Sequence, residues 1–71
     1  MNMSRYDSAQ RDYFNKETDY VIHTKYGQTR IAGLFKWRKS YDVEPEYEWV
    51  TAEGMQIIPD EDIVYYSSIR F

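Results

Sequence analysis

Tyr20-Val21-Ile22-His23-Thr24-Lys25-Tyr26, then Gly27-Gln28, then Thr29-Arg30-Ile31-Ala32-Gly33-Leu34-Phe35 is the stretch on which the fold turns. Two runs rich in β-branched and aromatic residues, joined by Gly-X, describe a β-hairpin with a two-residue loop. Gly27 would supply the positive φ that a type II′ turn requires. That loop sets a register: Tyr26 faces Thr29, Thr24 faces Ile31, Ile22 faces Gly33 and Tyr20 faces Phe35. Tyr20, Ile22, Ile31 and Phe35 then share a core face, with Trp37 next along it. The opposite, wetter face carries His23, Lys25, Arg30 and Lys36, with Val21, Ala32 and Leu34 as its apolar members. Gly33, on the core face, marks a bulge, a sharp bend or the close approach of the helix, with the bend favoured because a barrel needs such bends to close.

Working outward toward the amino end, residues 4–16 are predicted to be helical. Tyr6, Ala9, Tyr13 and Phe14 recur at spacings of three and four and line up one apolar stripe. Ser4 can cap the first turn, with Asp7 three residues on. So short a helix is marginal alone and needs a sheet to lie on.

Toward the carboxyl end, Lys36-Trp37-Arg38-Lys39 closes the second strand as a basic-aromatic tetrad, and 40–46 form a polar, acidic loop containing Pro45. Tyr47 to Thr51 alternates, with Tyr47, Trp49 and Thr51 on one side. Ala52-Glu53-Gly54 reads as a three-residue hairpin loop with Gly54 in the left-handed region, which places Trp49 opposite Ile57 in the core. Pro59 opens a tight turn over Asp60-Glu61-Asp62. Ile63 to Phe71 is a last strand with Ile63, Tyr65, Ile69 and Phe71 on one face.

A short N-terminal helix followed by five antiparallel strands with tight hairpins, and a 3₁₀-like turn before the last strand, resembles SH3-like barrels in architecture. The expected fold is therefore α+β or mainly β, one domain over 1–71, with the sheet or barrel spanning 20–71. The alternative is an open antiparallel sheet with the helix packed on one face.

Length and composition narrow the function. Seventy-one residues without a cysteine leave a small core with no disulfide and no thiolate metal site. No apolar run suggests a signal peptide or a membrane span, so a cytoplasmic protein is expected. Thirteen aromatics, eight of them tyrosine, exceed what so small a core can hide, so several tyrosines should be half exposed. Charge is uneven: residues 1–39 hold eight basic and four acidic side chains, residues 40–71 one basic and eight acidic, within a net charge of −3.

No catalytic, metal or cofactor set emerges. His23 is the single histidine, a solvent-facing strand residue with no second ligand beside it. Asp60, Glu61 and Asp62 are adjacent, which splays them into solvent instead of converging them on a substrate. The expectation is a non-enzymatic protein that occupies a protein partner, one with a basic groove. Its contact residues would be Tyr41 and an acidic arc of Asp42, Glu44, Glu46, Glu48, Asp60, Glu61 and Asp62. A second reading is a nucleic-acid-binding module using Lys25, Arg30, Lys36, Arg38 and Lys39. The net negative charge and the inward placement of Trp37 weigh against it. A third is a self-assembling subunit, a homodimer through a strand edge, with Tyr65–Phe71 as that edge.

Overall fold

In the computed structural model, which describes residues 3–69, the chain is mainly β and forms an open, antiparallel, six-stranded sheet. The strands are β1 (Ser4–Arg5), β2 (Tyr20–Thr24), β3 (Thr29–Trp37), β4 (Glu46–Thr51), β5 (Ile57–Ile58) and β6 (Ile63–Ser68), in the lateral order β1-β6-β2-β3-β4-β5. The expected barrel is not closed. The edges are β1 and β5, and β6, expected at an edge, lies inside the sheet between β1 and β2.

The expected helix over 4–16 does not form. Ser4 and Arg5 pair with Tyr66 and Tyr65 as an edge strand, and the Tyr6 amide continues the ladder to the Val64 carbonyl at 2.9 Å. Asp7, not Ser4, is the cap: its carboxylate accepts from the Ala9 amide at 3.0 Å and starts a 3₁₀ segment, Ser8–Tyr13. The stripe divides accordingly. Tyr6 and Phe14 are buried, while Ala9 is exposed and Tyr13 is 88 % exposed. Extended backbone at 4–6 wins because it gains ladder bonds and reaches the sheet's far side, which a marginal helix does not.

The hairpin forms with a different turn. Gly27 does adopt a positive φ, +79°, but at the end of a three-residue loop, Lys25–Gly27, and not at the start of a two-residue one. The Gly27 amide donates to the Thr24 carbonyl at 3.0 Å and the Thr24 amide to the Gln28 carbonyl at 2.9 Å. Glycine suits either turn, so it leaves the register open. The pairs are Tyr20–Ala32, Val21–Ile31, Ile22–Arg30 and His23–Thr29. The change is an odd number of residues, so it turns β3 over. Ala32 and Leu34 are buried, whereas Ile31, Phe35 and Trp37, expected in the core, are exposed.

The same effect acts at the second hairpin. Its loop holds four residues, 52–55, with Gly54 at φ +82° and Met55 at φ +51°, so Trp49 pairs with Ile58. Ile58 is buried and Ile57, expected in the core, is exposed. In β6 a bulge at Val64 turns Ile63 and Tyr66 toward the core and Tyr65 outward; Phe71 lies outside the described residues.

The inner face of the sheet thereby carries the packed core, and the outer face is only partly covered. On the inner face Phe14 sits among four rings, with centroids 4.7 Å from Tyr66, 5.1 Å from Tyr20, 5.3 Å from Trp49 and 6.1 Å from Tyr6. Most of these meet edge to face, the geometry favoured by the ring quadrupoles. Ile22, Ala32, Leu34, Ile58 and Ile63 fill the remainder of that core. The outer face carries Val21, Ile31, Phe35, Trp37, Ile57 and Tyr65, with Val50 buried among them.

Candidate functional site

The acidic arc divides in two. Asp60, Asp62 and Glu48 each lie in an ion pair among the described residues, and the others, including Glu61, do not. Asp60 accepts from the Tyr6 hydroxyl and from Arg11, both at 2.7 Å, and Asp62 pairs with Lys25 at 3.2 Å. Glu48 lies 3.5 Å from Lys39 and its side chain is 12 % exposed. The 3₁₀ turn at Asp60–Asp62 therefore does not splay all its carboxylates into solvent, as adjacency suggested; Glu61 alone of the three is exposed. Lys25 feels the pairing: its hydrogen bond to Asp62, followed by the charges of Tyr26 and Asp62, raises its pKa above the ordinary lysine value.

Tyr41, Asp42, Glu44 and Glu46 are the outward part. They run along the connection from β3 into β4, all exposed, with Tyr41 94 % exposed. The ion pairs among the described residues do not use these three carboxylates.

The basic residues do not form the continuous face expected of them. Arg30 lies opposite Ile22 and Lys36 opposite Tyr47, at two positions of the inner face's margin. They stand six positions apart along β3, about 20 Å. The Lys36 ammonium sits 5.9 Å from the Tyr47 ring centroid, where Lys16 also stands at 5.2 Å. Lys25 is in the first hairpin loop with Asp62, Lys39 is with Glu48, and Arg38 is exposed beyond the end of β3.

His23 is on the outer face between Thr29 and Tyr65, its Nδ1 3.4 Å from the Thr29 hydroxyl and its Nε2 buried without a hydrogen-bond partner among the described residues. Among the described residues no group of three or more His, Cys, Asp or Glu side chains could hold a metal, and no helix is long and apolar enough to cross a membrane. An open depression of about 420 Å³ beside the 3₁₀ segment is lined by Gln10, Tyr13, Phe14, Tyr20, Tyr66 and Ser68. It brings together no acid–base or nucleophile pair.

Sequence reasoning missed a set of residues on the outer face. Phe35 lies directly across from Glu48, and Trp37 from Glu46. Next along β3, the Asp19 carboxylate occupies the space above Gly33: a Cβ placed there would meet Asp19 Oδ1 at 2.5 Å. Gly33 thus marks a close approach, made by a side chain and not by a helix. The alternations Phe35-x-Trp37 and Glu46-x-Glu48 were legible, but the assumed loop length turned the aromatics inward.

Comparison with protein-family models, with curated proteins and with solved structures finds no match.

Proposed function

We propose that this chain is a non-enzymatic protein-binding module that captures a partner with a basic surface. The observation that carries the reading is the division of the acids: Asp42, Glu44 and Glu46 stand exposed with Tyr41, outside the ion pairs that engage Asp60, Asp62 and Glu48. Exposed carboxylates in one segment steer a cationic partner and add on-rate, while a fully accessible tyrosine offers contact area at small entropic cost.

The nucleic-acid reading gains from the outward placement of Phe35 and Trp37, since exposed aromatics can stack bases. Glu46 and Glu48 directly beside those rings would repel the phosphates, which leaves it second. The self-assembly reading is weakened because the edge strands, β1 and β5, are two residues each and offer little ladder to a neighbour.

The test compares two triple variants of equal charge, Asp42→Asn/Glu44→Gln/Glu46→Gln and Asp12→Asn/Glu17→Gln/Glu53→Gln. Each is measured against a lysine-rich polypeptide and a single-stranded oligonucleotide in physiological salt. The reading expects polypeptide binding that the first variant weakens and the second preserves. Equal loss in both, or oligonucleotide binding at micromolar affinity or better, overturns it.

A further inference from the structure

The outer face between β3 and β4 specifies what kind of basic partner fits. Phe35 and Trp37 are 47 % and 52 % exposed, large apolar surfaces left uncovered side by side on one strand. Alternate residues of a strand stand about 6.7 Å apart. Each ring has a carboxylate directly across the ladder, Glu48 for Phe35 and Glu46 for Trp37, and the Asp19 carboxylate lies over Gly33 at the next position. The face therefore repeats an anionic group beside an apolar or aromatic position, at the spacing of an extended chain's alternate side chains.

We propose that this face takes an extended peptide segment of the partner protein carrying arginine on alternate residues. The proposal rests on the reading of a basic protein partner given above. A guanidinium stacks on an aromatic ring while donating to a neighbouring carboxylate, and its planar fork does both at once, which an ammonium does less well. Lys39, 3.5 Å from Glu48 and itself 67 % exposed, is a solvated counter-ion that such a side chain displaces at little cost. A second copy of this chain fits poorly, because face-to-face packing would bring Asp19, Glu46 and Glu48 against their own kind. A nucleic-acid strand is opposed by the same carboxylates.

The experiment uses the full chain, ¹⁵N-labelled and titrated with a hexapeptide alternating arginine and threonine. The same peptide with citrulline in place of arginine, isosteric and uncharged, is the control. Amide shifts are expected at residues 33–37 and 46–50, and none with the citrulline peptide. Trp37→Ala should weaken binding about tenfold or more, while Asp12→Asn/Glu53→Gln, which removes two exposed charges away from this face, should change it by less than about twofold. Trp37 is exposed, so its removal leaves the fold in place, which the unchanged spectrum of the free variant verifies. Shifts confined to residues 41–44, with Trp37→Ala binding normally, overturn this proposal and leave the basic-partner reading standing. Absence of binding by the arginine peptide also overturns the proposal, and the lysine-rich polypeptide assay separately decides the broader reading. A doubled mass that Trp37→Ala returns to monomer would show a second copy on this face and overturn the proposal too.

Discussion

Tyr6 and Asp60, 54 residues apart in the chain, share a 2.7 Å hydrogen bond that ties one edge of the sheet to the other. Tyr6 directly follows β1 and Asp60 follows β5, so side chains link the two edge strands where no ladder does. The link continues inward, since the Trp49 indole donates to the Tyr6 oxygen at 2.9 Å, and outward, through Arg11 at 2.7 Å from Asp60. Tyr6→Phe keeps the ring in the core but leaves a buried indole N–H without its acceptor. It should cost about 1–3 kcal/mol by urea denaturation at pH 7.

The same bond predicts an alkaline limit. Burial first, then the hydrogen bond to Asp60, pushes the Tyr6 phenol well above its ordinary value of 10.0. Below pH about 10 both folded and unfolded chains keep this proton, and the contribution of Tyr6 is fully present. Above it the unfolded chain ionises first, so stability falls with pH by at most about 1.4 kcal/mol per unit until the folded pKa is reached. Tyr6→Phe lacks that slope. The stability gap between the two proteins should shrink between pH 9 and 11; a constant gap would mean the phenol titrates normally.

The two tryptophans should part company. Trp49 is fully buried and Trp37 is 52 % exposed. Trp49→Ala should cost about 3–5 kcal/mol, a large part of the stability a chain this short possesses. Trp37→Ala should stay within about 0.5 kcal/mol. Equal costs, read by chemical denaturation under circular dichroism, would show that β3 is not turned as described.

That contrast shows what was legible in the sequence. Tyr20, Ile22 and Trp49 could be read as core because their strands alternate and the inward set is large and apolar whichever loop joins them. Ile31, Phe35 and Trp37 could not, because β3 is apolar on both sides and only the loop length decides which side turns in. Gly27 is compatible with two loops, and Gly54 with two more, so one ambiguity of backbone geometry inverted Ile57 and Ile58 as well. Phe14 could be read as a docking residue, but the helix expected to carry it does not form, since burial of Tyr6 and Phe14 is equally served by a strand end and a 3₁₀ segment. Of the acidic arc, position along the chain said nothing of which carboxylates meet Arg11, Lys25 and Lys39; those partners come from distant strands and loops.

Gly33 and Asp19 make a coupled pair. A Cβ at Gly33 would stand 2.5 Å from Asp19 Oδ1, so Gly33→Ala forces the carboxylate aside and should destabilise by about 1–2 kcal/mol. In an Asp19→Ala background the space is free and the backbone imposes no glycine-only conformation. The same substitution should there be neutral or stabilise by about 0.5–1 kcal/mol, as replacing a strand glycine commonly does. A double-mutant cycle with no coupling would place Asp19 elsewhere.

The division of the acidic arc can be tested with single substitutions that remove one charge each. Asp60 has a side chain 28 % exposed and holds both Tyr6 and Arg11, so Asp60→Asn removes the charge and leaves one acceptor oxygen for two donors. It should cost about 1–3 kcal/mol and free the amino-terminal segment, visible as faster amide exchange at residues 6–14. Glu44 is exposed in the β3–β4 connection, and Glu44→Gln should change stability by less than about 0.5 kcal/mol. The functional prediction is the reverse. Neutralising Glu44 removes part of the field that attracts a cationic partner and should slow association, more so at low salt where screening is weak. Asp60→Asn, measured where the variant is still folded, should leave that rate nearly unchanged, because its charge is already offset by Arg11. If the two substitutions alter stability equally, Asp60 is one more solvated carboxylate and the edge-to-edge link contributes nothing. If they slow association equally, overall charge governs capture, and the exposed loop has no special part in it.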